Sequence, residues 1–152
     1  MDAVAKEAGV GRGTIYRNFE DIHALSWAIF DENIKALEAA AEEERGKAGA
    51  FERMLQLAID ESLDSFGLIP ALGANRTSPH LNDLVKRTIR LLTPALTEGQ
   101  RRGELRADLK PAHLLEILGM VFSAAISGTT PRSRRDGAKR ALDLLLNGVR
   151  PR

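Results

Sequence analysis

Seven consecutive residues, Arg12 to Asn18, hold two arginines, a threonine, a tyrosine and an asparagine. Each of these side chains carries a donor that suits a phosphate oxygen or a base edge. Such donors can read a duplex only if one rigid rod, narrow enough for the major groove, holds them in line. A helix meets that need, because 100° per residue turns Ile15 and Phe19 inward, with Arg12 beside them. Gly13, Thr14 and Arg17 then lie opposite, and Tyr16 and Asn18 take the two flanks. Gly13 lets the backbone approach the groove floor, Arg17 is long enough for a guanine edge, and Thr14 suits a thymine methyl or a phosphate.

The remaining reactive side chains point to bland roles. Glu20 and His23 form one Glu-x-x-His step, but neither His80 nor His113 follows a glutamate at that spacing, so the paired ligand set of a di-metal bundle is incomplete. Asp60, Glu61 and Asp64 read as the wet face of an amphipathic helix. Arg132, Arg134, Arg135, Lys139 and Arg140 read as a solvated helix entrance. With no nucleophile elbow, phosphate loop or dinucleotide fingerprint, the sequence offers no catalytic residue, no metal site and no cofactor.

The elements that must position the 12–18 rod are helical. Apolar residues recur at helical spacing and nothing alternates as a strand, so the class is all-α. Ile22, Leu25, Ile29 and Leu37 form a stripe on a helix from about Asp21 to Arg45, with Asp21 as its N-cap. Phe51, Leu55, Ala58, Ile59, Leu63 and Phe66 mark a second long helix, followed by a broken connection over 67–79. A third runs from His80 to about Arg102 and contains Pro94, which should bend it near Arg90. Pro111 opens a fourth, ended by Gly128, and Ala138, Ala141, Leu142, Leu145 and Leu146 mark the last.

Net charge is +1, from 22 basic and 21 acidic residues, so any attraction to nucleic acid must be local. There is no cysteine, and the first twenty residues lack a signal-peptide layout, which suits a cytoplasmic protein. The apolar run Leu114 to Ile126 is shorter than the ~20 residues of a membrane span, so no membrane partner is expected. It is apolar on every side, however, and a second subunit would cover its far face; a homodimer through the helices at about 111–128 and 136–148 is expected.

The opening MDAVAKEAGVGRGTIYRNF reads as helix, glycine turn, helix, with Gly9 at a position that favours positive φ and Val4, Val10, Ile15 and Phe19 as a miniature core. Ala5 and Ala8 are small enough for a close crossing. Residues 8–19, AGVGRGTIYRNF, resemble the recognition element of TetR-family transcription regulators, in which a glycine-threonine-leucine-tyrosine core precedes an aromatic residue; here these are Gly13, Thr14, Ile15, Tyr16 and Phe19. GELRADLKPAHLL, residues 103–115, resembles the lead-in to the family's two closing helices.

The resemblance implies that Arg12, Thr14, Tyr16, Arg17 and Asn18 face a double-stranded operator, with Tyr16 on the backbone. It implies a partial helix-turn-helix domain over 1–22 and a helical ligand-binding and dimerisation domain over 23–152. The family's reading unit has three helices, and this chain starts inside the second. Val4, Ala8, Ile15 and Phe19 would thus be uncovered, which predicts a frayed start. Gly11 stands where the family has a serine-like cap, and Ile22 where it usually has a phosphate-binding lysine.

The expected function is a ligand-responsive regulator, a repressor released from its operator by a small apolar effector. That effector is expected among Phe51, Met54, Phe66 and the bend at Pro94, with Asn75 and Arg76 as polar contacts. The alternative is a helical ligand-binding or assembly protein with no role at DNA.

Overall fold

The computed structural model describes residues 1–65, Leu68 and 79–149, with backbone alone for 79–81 and 149. Its described elements are seven helices with no strand: α1 (Asp2–Glu7), α2 (Arg12–Asn18), α3 (Ile22–Glu43), α4 (Ala50–Asp64), α5 (Pro79–Arg101), α6 (Pro111–Ile126) and α7 (Pro131–Val149).

α4 is the axis of the body, packing against α3, α5, α6 and α7. Its apolar stripe explains this: Phe51, Met54, Leu55, Ala58, Ile59 and Leu63 are all buried. Leu92 and Leu96 of α5, Leu114, Val121 and Ala125 of α6, and Ala138, Leu142 and Leu146 of α7 close the same core. No side chain caps the start of α4, but Glu104, far along the chain, accepts a hydrogen bond from Gly49 N at 3.0 Å and serves that orphan donor instead. α6 and α7 lie close together because Gly137 has no side chain; a Cβ there would stand 2.8 Å from the Ala124 carbonyl oxygen.

The boundaries expected for α3 hold within two residues at each end, and Asp21 is its cap, accepting from Ala24 N at 2.8 Å. α5 continues through Pro94. α7 starts at Pro131, upstream of its apolar stripe, because Thr130 and Ser133 cap one another reciprocally at 3.0 and 3.1 Å.

The frayed start is corrected: residues 2–18 form two helices. Gly9, at φ 66°, closes α1 with bonds from Gly9 N to Lys6 O and from Val10 N to Ala5 O, the pairing of a Schellman turn. Asp2 then ties α1 to α2 through the Arg12 guanidinium and the Tyr16 hydroxyl. Backbone closure and these polar ties shape the pair even though its apolar contacts are few. The miniature core is also smaller than expected. Ala5 alone is buried, Val4, Ile15 and Phe19 are half-buried, and Ala8 and Val10 are exposed.

Candidate nucleic-acid interface and ligand cavity

α2 opens at Gly11, which offers no side-chain acceptor, and ends at Asn18, where Phe19 turns to extended backbone. The chain is extended there and at the Asp21 cap, where it re-enters a helix, so α2 is a short rod separate from α3. All six residues expected to face a duplex, Arg12, Gly13, Thr14, Tyr16, Arg17 and Asn18, are exposed, Tyr16 at 52%. Nothing surrounds the Cβ position of Gly13, so that stretch of backbone is open to close approach.

Local bonds shape this surface. Asn18 Nδ2 donates to the Thr14 carbonyl at 2.8 Å, and an Arg17 guanidinium nitrogen reaches the Thr14 hydroxyl at 3.5 Å. Arg12 and Tyr16 both turn toward Asp2 on α1, Tyr16 Oη donating at 3.5 Å. Arg17 is thus the basic group of α2 that pairs with no carboxylate among the described residues.

The expected ligand residues part company. Phe51 and Met54 are 2% exposed and belong to the core, so most of their surface is already spent on packing. Met54 also borders a cleft with Pro94, but there Glu42, Glu44, Arg45, Arg90 and Glu98 set charged groups around the apolar lining. Phe66, Asn75 and Arg76 lie outside the described residues.

The apolar cavity lies elsewhere, between α3, α4, α5 and α6, with a volume of about 290 Å³. Phe30, Ile34, Leu84, Val85, Leu118 and Phe122 supply most of its wall. Its polar lining comes from Asn33, Glu61, Ser62 and Thr88. The wet face expected for the α4 acids describes Asp64, whereas Glu61 is half-buried at this cavity and Asp60 accepts from Gln56 at 3.0 Å. One signal of the cavity was present in the sequence. Asn33 sits four residues from both Ile29 and Leu37, an amide in register with an apolar stripe.

Ion pairs join the cavity walls to their neighbours. Arg87 of α5 bridges Asp31 at 2.6 Å and Glu38 at 3.1 Å on α3, and its guanidinium holds the Asp31 carboxyl below the usual carboxylate range. The basic run at the start of α7 is mainly structural where its partners are seen: Arg135 pairs with Asp64, and Arg134 Nε donates to the Gly128 carbonyl at 3.1 Å. Among the described residues no cluster of His, Asp and Glu has the makings of a metal site, and no helix is long and apolar enough to cross a membrane.

No protein-family model and no curated protein matches the sequence. The fold is similar to that of a TetR transcriptional regulator from Streptomyces coelicolor, with a TM-score of 0.71 and 28% identity, over 99% of this chain and 86% of that one. That likeness spans nearly the whole chain, so the all-helical fold is that of a TetR transcriptional regulator, and α2 lies where the sequence carries the matching motif.

Proposed function

We propose that the chain is a ligand-responsive DNA-binding regulator, a repressor that leaves its operator when a small apolar or amphipathic effector fills the α3–α6 cavity. The observation that carries the reading is the division of α2 into two faces: Ile15 and Phe19 half-buried, Gly13, Thr14, Arg17 and Asn18 open to solvent. In this reading Arg17 and Thr14 contact base edges, Gly13 admits the backbone to the groove, and Asn18, Tyr16 and Arg12 hold phosphates. Arg12 and Tyr16 exchange Asp2 for the operator backbone when they do so.

The protein acts as a homodimer through α6 and α7, whose outward faces expose Met120 at 49% and Leu144 at 72% beside small residues such as Gly119 and Ser123. Two-fold symmetry then sets two α2 rods on successive major-groove faces, ~34 Å apart or a multiple of it. α3 links the two sites, since Phe30, Asn33, Ile34 and Leu37 line the cavity and the Asp21 cap begins just beyond α2. An effector that prefers a wider setting of the rods shifts the population away from the DNA-competent form.

One observation favours a second reading, a ligand-binding protein with no role at DNA. Lys6, Arg12 and Arg17 are offset over residues 1–22 by Asp2, Glu7, Glu20 and Asp21, so this segment carries no net basic charge. Selection from a randomised duplex pool followed by a mobility-shift assay separates the two. The regulator yields an enriched two-fold site that Arg17→Ala weakens. An unenriched pool, or a shift that Arg17→Ala leaves intact, overturns the DNA reading.

A further inference from the structure

The hydrogen-bonding groups at the cavity spend their donors on neighbouring protein groups and are left as acceptors. The Asn33 side-chain nitrogen donates to the Glu61 carbonyl at 3.1 Å and to the Ser65 hydroxyl at 3.2 Å. A carbonyl can only accept, so the amide orientation is set by chemistry and both N–H groups of Asn33 are consumed. Ser62 spends its hydroxyl proton on the Ala58 carbonyl at 2.8 Å, and Thr88 spends its own on the Leu84 carbonyl at 2.9 Å. What remains available at the lining is the Asn33 Oδ1, two hydroxyl lone-pair sets and the Glu61 carboxylate. Among the described residues no Lys, Arg or His lines the cavity and no cation pairs with Glu61. Arg87, on the same helix as the lining residue Leu84, is committed to Asp31 and Glu38 on the neighbouring face.

A ligand that brings its own acceptors or a negative charge would meet only lone pairs here, at the cost of desolvating both sides. A ligand with an apolar body and a protonated nitrogen meets an apolar wall and an unpaired carboxylate beside it. We propose that the effector of this cavity is a lipophilic amine or related cation, an alkyl- or arylammonium in chemical class, whose charged head is held by Glu61 with Asn33, Ser62 and Thr88 as supporting acceptors. The inference rests on the effector reading of the cavity and adds the sign of the charge that the site selects.

Four probes with one tail length test it: n-octylammonium, octyltrimethylammonium, 1-octanol and octanoate, titrated below their aggregation limits by calorimetry against the intact protein. The expected order is n-octylammonium first and octanoate last, separated by about a hundredfold, as a charge-assisted hydrogen bond to one and repulsion from the other imply. Octyltrimethylammonium, which keeps the charge and loses the donors, falls between them. Glu61→Gln should bring the ammonium and alcohol affinities within about threefold while leaving 1-octanol unchanged. Gly119→Leu, at an exposed helical position that borders the cavity with open space at its Cβ, should weaken all four probes. Octanoate binding as tightly as n-octylammonium, or a preference that survives Glu61→Gln, overturns the charge assignment and leaves the cavity reading standing. If no probe binds, or Gly119→Leu weakens none of them, the cavity reading fails and the charge assignment with it.

Discussion

The helix pair α1–α2 and the five-helix body are built on opposite terms. In the body, Leu55, Ile59, Leu92, Leu96 and Val121 are all but sealed from solvent, and helix is laid on helix around α4. In the pair, one alanine is buried, and order comes from a glycine-closed turn and the ties from Asp2. The contrast teaches how this fold separates stability from contact. A core residue stabilises by vanishing from the surface, whereas a side chain that reads a duplex must stay exposed, so α2, in its proposed role, draws little from burial. On that proposal the body can lose a surface group at small cost, whereas the pair would lose with one its hold on DNA.

The comparison is tested most severely by Leu55→Ala. Leu55 is 0% exposed, and truncation should cost about 3 kcal/mol, which lowers the melting temperature by roughly 6–12 °C in a chain of this size. A shift of a degree or two would mean that the body is not held by the α4 core. Next comes Arg17→Ala, expected to weaken operator binding by about 1–3 kcal/mol while leaving the melting temperature within a degree. A destabilised Arg17→Ala variant would show that α2 is structural after all.

Asp21→Ala sharpens the boundary between the two regions, because it removes the acceptor for Ala24 N at the joint. It should lower stability by about 1 kcal/mol and raise amide exchange through the first turn of α3 ahead of the rest of that helix. Uniform exchange along α3 would argue that the joint is not a local unit. The smallest effect concerns acid. Arg101 and then Arg102, by hydrogen bonding, hold the Glu98 carboxyl at about 2, against an ordinary 4.5. A folded value below the unfolded one means that the contribution is present above pH 4.5 and is lost as pH falls toward 2. Glu98→Gln should thus flatten the acid limb of the stability profile in that window by slightly lowering the neutral-pH plateau, a small effect because the pair lies near the surface. An unaltered acid limb would assign the loss to other carboxylates.

Much of the architecture was legible before any coordinates. The α3 stripe and its Asp21 cap, the α4 stripe from Phe51, and Pro111 at the start of α6 all register short-range chemistry: periodicity, a capping carboxylate, a ring that cannot donate. The faces of α2 were legible for the same reason, because angular position along one helix needs no knowledge of the rest of the chain. The pocket was not. Phe51 and Met54 share the apolar character of Phe30 and Phe122, and residue type does not say which of them meets a neighbour and which meets a gap.

Composition and spacing were enough to make this an all-helical chain with a two-faced short helix near its start. They could not decide where four helices fail to close on one another, or that Glu61, one of three acids on a nominally wet face, would border that gap while Asp64 reached Arg135. Helix faces follow from bonds between residues a few positions apart. A cavity follows from the distances between helices, and those depend on every side chain that lies between them.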